Sequence, residues 1–498
     1  MIPYLELEKA VEKWGNKTFF ITDMKTEVSY VALLVRVQKL AGAIKSAGIS
    51  KGDVIAVLLP NCIELVELYL AAGAVGAIFQ PLDIRFRGTE LRNTLEYSHT
   101  KLFAVHTEFA EDVEPALPPE LSNKLLVHGR KDGWTPFEQF LDTGTPLTAV
   151  PEIDQDKDNA VYLFTSGSTS SIKCVPMTWR QLDYFPHDII DVVGMGPDDR
   201  GISLLPFSHI SGPIVVNLCL ISGSSYIITQ QWKPNTIIDY FEKYKVTWTH
   251  TVPPLAGMIL KGRPKGRDLS AVRFIALMGT SVPVNMLQAL EQTIPSCKAI
   301  QGYGLTETNP MLTLLPPDLH ESKRGSIGMP LKNVEIRVID EEGNDVPTGE
   351  PGELIVRGPK VFREYVDNPE LTKSVILNGW FHTGDVVKCD HEGFYYHLGR
   401  RDDVINTGGL KVFPAEVETE LLKNSSVVDT VAYGIPDEKR GNIVIAEVVP
   451  SQGISVDPLE LRKYLLKRLA IYKIPSNINI VESIRRTPAG KPIRQPRS

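Results

Sequence analysis

A chain of 498 residues exceeds what one ordinary hydrophobic core serves, so a large multilayer domain and at least one smaller domain are expected. Its 43% hydrophobic and 23% charged content is that of a water-soluble globular protein. A net charge of −7, from 53 basic and 60 acidic residues, argues against a general nucleic-acid or anionic-membrane surface and leaves room for a local basic pocket.

The chain opens MIPYLELEKAVEKWG, with acids where a signal peptide would carry basic and then apolar residues. Residues 30–47 read as a helix, with Leu33, Leu34, Val37, Leu40, Ala41 and Ile44 at helical spacing. A Lys51-Gly52-Asp53 turn leads into a short apolar strand, 54–59, closed by Pro60-Asn61, and then a helix over 62–74. The purest apolar run, 68–79, is too short to span a bilayer and follows Glu64 and Glu67. Residues 210–229 are broken by Pro213 and Asn217 and read as a buried core segment, so no membrane span is expected. This alternation predicts α/β layers with largely parallel sheets. From about 325 to 393 the texture changes to short strands (334–339, 352–356, 394–397) separated by glycine turns, a small β-rich region. After Gly399 the charged stretch Arg400-Arg401-Asp402-Asp403 precedes a compact α+β pattern. We therefore place a boundary between an N-terminal domain, 1–399, and a small C-terminal domain, 400–498. The five cysteines, Cys62, Cys174, Cys219, Cys297 and Cys389, form no CxxC pair, which suggests reduced thiols in a cytoplasmic protein.

Four segments carry chemistry. In the first, an apolar strand runs into Thr165-Ser166-Gly167-Ser168-Thr169-Ser170-Ser171-Ile172-Lys173. Small side chains expose backbone N–H groups, hydroxyls add donors and the lysine adds a point charge, so the loop suits a polyphosphate. It is not a Walker loop, because Cys174 stands where a Ser or Thr would meet magnesium. The second, Gly302-Tyr303-Gly304-Leu305-Thr306-Glu307, offers close backbone approach, an aromatic face, a hydroxyl donor and a hard oxygen for Mg²⁺. The third is Thr383-Gly384-Asp385, whose carboxylate suits a ribose diol, with Gly399-Arg400-Arg401-Asp402-Asp403 shortly after. The fourth is Arg486-Thr487-Pro488-Ala489-Gly490-Lys491 near the C-terminus. Each has a bland counterpart: a surface loop, a capped turn, a solvated hairpin, a basic tail.

In this order the four segments resemble the adenylate-forming superfamily of acyl-CoA synthetases, aryl-CoA ligases, luciferases and peptide-synthetase adenylation domains, over nearly the whole chain. Secondary matches are Pro206-Phe207-Ser208-His209, Gly325-Ser326-Ile327-Gly328-Met329-Pro330 and Tyr472-Lys473-Ile474-Pro475. The resemblance implies an ATP-dependent acid–thiol ligase that forms an acyl-adenylate and then a coenzyme A thioester. By it, Lys491, Thr306 and Glu307 are catalytic, Lys491 bridging the acid and ribose–phosphate oxygens and Glu307 holding Mg²⁺. Thr165, Ser166, Gly167, Ser168, Thr169 and Lys173 bind phosphates. Gly302, Tyr303, Gly304, Asp385 and Arg400 hold adenosine, with Tyr303 stacked on adenine. His209, Ser211, Gly212, Met278, Gly279, Thr280, Gly304 and Pro310 surround the acid. Asp402 is the hinge on which the C-terminal domain turns, and Gly408 and Gly409 then guide coenzyme A.

The sequence departs from the family pattern at Ser170, Ile172 and Cys174, where Gly, Pro and Gly are usual, and at Asn406 and Ser208. Fewer glycines imply a stiffer phosphate loop. With no Arg or Lys among the acyl positions, an uncharged aromatic, alicyclic or short-to-medium aliphatic acid is expected. The alternatives are an enzyme loading a separate carrier protein, a luciferase-like oxygenase, and a non-catalytic nucleotide-binding relative.

Overall fold

The computed structural model describes the whole chain except residues 23–25, 148, 166–172, 231–232, 280–281, 452, 487–491 and 498, with only the backbone of Thr165. The sequence periodicities translate directly into elements. The helix Tyr30–Ser46 starts where Ser29 accepts the Ala32 N–H at 3.2 Å and buries Leu33, Val37, Leu40 and Ile44. The strand Val54–Leu58 is buried at every position, the mark of a parallel strand covered on both faces. The apolar run after it divides between the helix Ile63–Val75, closed by Gly76 in the left-handed region, and the strand Ile78–Pro81. Its two acids do not face water. Glu67 pairs with Arg36 through both oxygens, at 2.5 and 3.1 Å, and Glu64 meets His128 at 2.7 Å.

Four sheets result. A seven-stranded sheet runs in the order Thr135–Pro136, Asn123–Val127, Thr100–His106, Val54–Leu58, Ile78–Pro81, Asn159–Thr165, Lys173–Thr178, and only its last pair is antiparallel. A nine-stranded sheet has a parallel centre in which Lys298–Tyr303, Phe274–Leu277, Trp248–Thr251, Arg200–Ile202 and Ser225–Ile228 lie side by side. The segment with dense turns forms an antiparallel five-stranded sheet containing Glu335–Ile339, Gly352–Arg357, Trp380–Cys389 and Tyr395–Arg400. The last sheet, Leu410–Val412, Ile405–Thr407, Gly441–Pro450, Val427–Asp437 and Asn477–Ile480, packs with the helices Pro414–Leu422 and Pro458–Leu466 on a separate core that includes Ile405, Val417, Ala446 and Leu465. The 210–229 stretch is the buried helix Ser211–Ser222 followed by the strand Ser225–Ile228. No helix among the described residues is long and apolar enough to cross a membrane. All five cysteines are free, and all but Cys389 are buried.

In the nine-stranded sheet, registry brings Gly201 opposite Trp248, and a Cβ at Gly201 would lie 2.4 Å from the Tyr226 ring and 2.7 Å from Trp248. Gly201→Ala must therefore push two core rings, costing about 1–3 kcal/mol and lowering the urea midpoint of the N-terminal transition. Gly257→Ala is the control: it lies in the helix Pro253–Lys261 with nothing within 4 Å of an added Cβ, and should leave the midpoint level or raise it.

Candidate nucleotide and acyl site

Parallel sheets place ligands beyond the carboxyl ends of their strands, and there the second motif begins. The strand Lys298–Tyr303 ends at Tyr303, and a 3₁₀ turn, Thr306–Thr308, follows at once. Its glycines answer to the chain itself. A Cβ at Gly304 would lie 1.9 Å from the Pro310 carbonyl oxygen, and one at Gly302 would lie 2.6 Å from Met311 Sδ. The expected close approach is thus made by residues 310–311, which return antiparallel beside the motif toward the Thr313–Leu314 strand.

Tyr303 is 9% exposed. Its ring stacks on His397 with centroids 5.7 Å apart, and its hydroxyl donates to Asp385 Oδ2 at 2.6 Å. Asp385 lies on the strand Trp380–Cys389 directly across from Arg400 on Tyr395–Arg400. Arg400 Nη1 sits 3.3 Å from Asp385 Oδ2 and donates to the Thr383 carbonyl at 2.7 Å, while His397 Nε2 lies 3.2 Å from Asp385 Oδ1. Burial alone would raise the Asp385 pKa, but His397, Arg400 and Tyr303 outweigh it and hold the carboxyl below its ordinary value. Burial and the neighbouring carboxylate push the Tyr303 phenol well up, so it stays a donor.

Glu307 forms a second cluster. Its Oε1 accepts the Tyr365 hydroxyl at 2.9 Å, its carbonyl accepts the Phe362 N–H at 2.7 Å, and Lys173 Nζ stands 5.9 Å from the Tyr365 ring centroid. Arg400 acts electrostatically on Tyr365, which ties the two clusters together. Lys173, Glu307, Asp385 and Arg400, far apart in sequence, thus converge around Tyr303, Tyr365 and His397. Those last two were missed by sequence reasoning. Tyr365 follows no periodic element, and His397 looks like one more residue of a half-buried strand; neither has a local signal.

The acyl positions divide. His209 is exposed to solvent, yet surrounding protein dehydrates its ring and holds its pKa below the histidine norm, against the pull of Asp83. Ser211 and Gly212 serve the turn before their helix. The Ser211 hydroxyl donates to the Pro206 carbonyl at 2.8 Å, and a Cβ at Gly212 would lie 2.5 Å from the Phe207 carbonyl oxygen. Gly279 is exposed with φ +83°, and an added Cβ would lie 3.4 Å from Val252 Cγ1, so a side chain there would strain the backbone and confuse any test of pocket size. Met278 instead borders a cavity of about 30 Å³ with Met311, Trp248, His250, Phe274 and Ile300. Cys174 is fully buried opposite Phe164, so a glycine there would remove core volume as well as loosen the loop.

Asp402 is exposed in the 3₁₀ turn Arg401–Asp403. Gly408 and Gly409, at φ +59° and +81°, make the two-residue turn of the Ile405–Thr407/Leu410–Val412 hairpin and are exposed. The C-terminal residues touch the rest through exposed polar contacts such as Arg401–Glu353, Lys411–Glu341 and Asn285 to the Leu422 carbonyl. Ser166, Gly167, Ser168, Thr169, Ser170, Ile172, Thr280 and Lys491 lie outside the described residues, as does the Thr165 side chain. The segment holding Lys491 is bracketed by Arg486, at 2.8 Å from both Asp429 oxygens, and Arg494, paired with Glu418 and Asp403. No cluster of three or more His, Cys, Asp or Glu able to hold a metal occurs among the described residues.

His250 is 6% exposed, and neither ring nitrogen has a hydrogen-bond partner among the described residues. Burial pushes its pKa down to about 4, against an ordinary 6.5. The unfolded chain then takes the proton first as pH falls, so stability drops from about pH 6.5 downward until the folded group titrates. His250→Phe should remove roughly 2 kcal/mol of the loss between pH 7 and pH 5, checked by urea midpoints of both proteins at the two pH values.

The family model for AMP-binding enzymes matches residues 7–366, and the model for the AMP-binding enzyme C-terminal domain matches 416–491. Similar curated proteins include a feruloyl-CoA synthase of an Amycolatopsis species, 31% identical over 94% of this chain and 92% of that one. Another is the indoleacetate–CoA ligase of Aromatoleum aromaticum, 29% identical over 93% and 91%. Among solved structures, ATP-bound MatB from Rhodopseudomonas palustris superimposes with a TM-score of 0.89 at 26% identity, covering 98% of this chain and 96% of that one. With this fold, these motifs and these relatives, the chain belongs to the AMP-binding enzymes and is an acid–thiol ligase that activates a carboxylic acid with ATP through an acyl-adenylate and passes it to coenzyme A.

Proposed function

We propose that residues 1–399 hold ATP and an uncharged, most simply aromatic, acid, and that residues 400–498 complete the site with Lys491 and then swing away. The observation that carries this is the convergence of Lys173, Glu307, Asp385 and Arg400 around Tyr303, Tyr365 and His397: Lys173 and Arg400 supply cations for an anionic nucleotide, while the carboxylates of Asp385 and Glu307 accept from ribose hydroxyls and offer an oxygen to Mg²⁺. Both reactants are anions, so the work is charge neutralisation and alignment. The phosphate loop, Thr165 to Thr169 with Lys173, takes the departing pyrophosphate, Thr306 fixes the α-phosphate, and Lys491 spans acid and nucleotide. Tyr303 fixes Asp385 and Arg400 at the ribose and lends its remaining exposed surface to adenine. Glu307 suits Mg²⁺, which takes most of its ligands from water and phosphates and needs few protein oxygens. The Tyr365 hydroxyl occupies only one oxygen of that carboxylate. When bound, the ion would neutralise phosphate charge. Relatives act on feruloyl and indoleacetate groups, and the absence of Arg and Lys from the apolar cavity favours acids of that uncharged kind. Free, mostly buried thiols suit a cytoplasmic enzyme. A separate carrier protein in place of coenzyme A is the competing acceptor.

Incubation with ATP, a mixed acid library and either coenzyme A or a carrier protein, read by mass, decides acid and acceptor; no thioester with either acceptor refutes the proposal. Lys491→Ala should slow acyl-adenylate formation by about 10² or more and spare thioester formation from synthetic acyl-adenylate. Equal loss of both half-reactions contradicts the assignment.

Rotation between half-reactions requires free dihedrals at the pivot, and proline fixes φ near −65°. Asp402→Pro should keep single-turnover pyrophosphate release and slow thioester formation by about 10², while Asp402→Ala keeps both. If alanine is as damaging as proline, the carboxylate itself is needed and the hinge lies elsewhere.

A further inference from the structure

Residues 358–368 lie between the strand Gly352–Arg357 and the helix Pro369–Val375 and form no regular element, yet they are tied down from several sides. The Lys360 ammonium, 1% exposed, pairs with Asp188, 6% exposed, on the helix Gln181–Val193. Gln181 of the same helix donates through Nε2 to the Val361 carbonyl at 3.0 Å. A buried ion pair adds little net stability, because each charge gives up its water, but neither charge can leave its partner. The pair therefore pins the segment in place. Beyond it the backbone bridges two of the motifs. Phe362 N–H donates to the Glu307 carbonyl at 2.7 Å, and Val366 N–H donates at 3.1 Å to the carbonyl of Cys174, the residue after Lys173.

Tyr365 lies between those two bonds and is 4% exposed. Its hydroxyl donates to Glu307 Oε1 at 2.9 Å, and Lys173 Nζ stands over its ring, 5.9 Å from the centroid. Phe362 steadies the ring, with centroids 4.7 Å apart. Neither Lys173 nor Glu307 makes an ion pair among the described residues. Opposite charges flanking one ring attract each other, and more strongly in a partly buried cleft than in water. Once paired, Lys173 would be lost to phosphate and Glu307 to magnesium.

We propose that Tyr365 is a spacer whose ring holds Lys173 and Glu307 apart, so that both charges meet the nucleotide unpaired. The inference rests on the roles proposed above for Lys173 and Glu307 and adds a positioning residue to them. A phenol suits the task. It satisfies one Glu307 oxygen without cancelling the carboxylate charge, and burial beside that carboxylate pushes the phenol up, so it stays a donor. Its ring face attracts the ammonium only at the outer limit of a cation–π contact, which leaves the lysine available to phosphate. Lysine has a long flexible stem, so without the ring it can close on Glu307.

Binding of ATP in excess chelator, measured by calorimetry, isolates the lysine from any metal. The wild-type protein should bind ATP in this state, because its Lys173 is free. Tyr365→Phe keeps the ring and should stay within about threefold of wild type, whereas Tyr365→Leu should weaken binding by about tenfold or more. Glu307→Gln removes the charge that would capture the lysine, so in that background Tyr365→Leu should cost about threefold or less. A tyrosine that merely supports the fold would cost the same in both backgrounds, and that result overturns the inference. A tenfold loss in Tyr365→Phe, or none in Tyr365→Leu, also overturns it. If the leucine variant does not fold, Tyr365→Met, which packs adaptably but has no ring, replaces it in the cycle. ATP binding that appears only with Mg²⁺ in the wild-type protein overturns this inference alone. No ATP binding with or without Mg²⁺ overturns the nucleotide roles proposed above and this inference with them.

Discussion

Asp385 is 3% exposed and carries a negative charge that the interior would expel if it were alone. What keeps it ionised is a ring of donors drawn from separate parts of the chain: the Tyr303 phenol at a parallel strand end, and His397 and Arg400 on the neighbouring antiparallel strand. The donors cannot drift without stranding the charge, so the nine-stranded and five-stranded sheets are held in one relation. Glu307 and Tyr365 lie against that junction, and Arg400 also leads into the turn that holds Asp402. Tyr303, His397 and Arg400 are therefore positioned by the need to satisfy one buried carboxylate.

Much of this was legible in the sequence, for identifiable reasons. Helices such as Tyr30–Ser46 announce themselves because one face must be apolar at helical spacing, and Val54–Leu58 because a strand covered on both faces must be apolar throughout. The motifs were legible because glycines, hydroxyls and charges are dense there. Their physical roles were less so. The glycines beside Tyr303 make room for Pro310 and Met311, and Ser211 and Gly212 shape a turn. Close approach by the protein's own chain and close approach by a ligand demand the same residue type, so spacing alone does not separate them. Tyr365, His397 and His250 were illegible for another reason: each acts through partners, or a lack of them, that only tertiary registry creates.

The same registry shapes the apolar layer behind Met278. Trp248 fits against Tyr226 because Gly201 supplies no side chain opposite it, and Trp248 in turn stacks with Phe274 and His250. His250 and Trp248 are thus buried side by side in an apolar layer, behind Met278 and beside the Gly302–Met311 contact.

The central claim is that the acid attacks the α-phosphorus, and the most direct measurement follows its oxygen. An accepted acid, labelled with heavy oxygen in its carboxylate, is turned over with ATP and coenzyme A, and the nucleotide product is weighed. Attack through an acyl-adenylate delivers one labelled oxygen to AMP for each thioester formed. Label in inorganic phosphate alongside ADP, or AMP that carries none, would contradict the account.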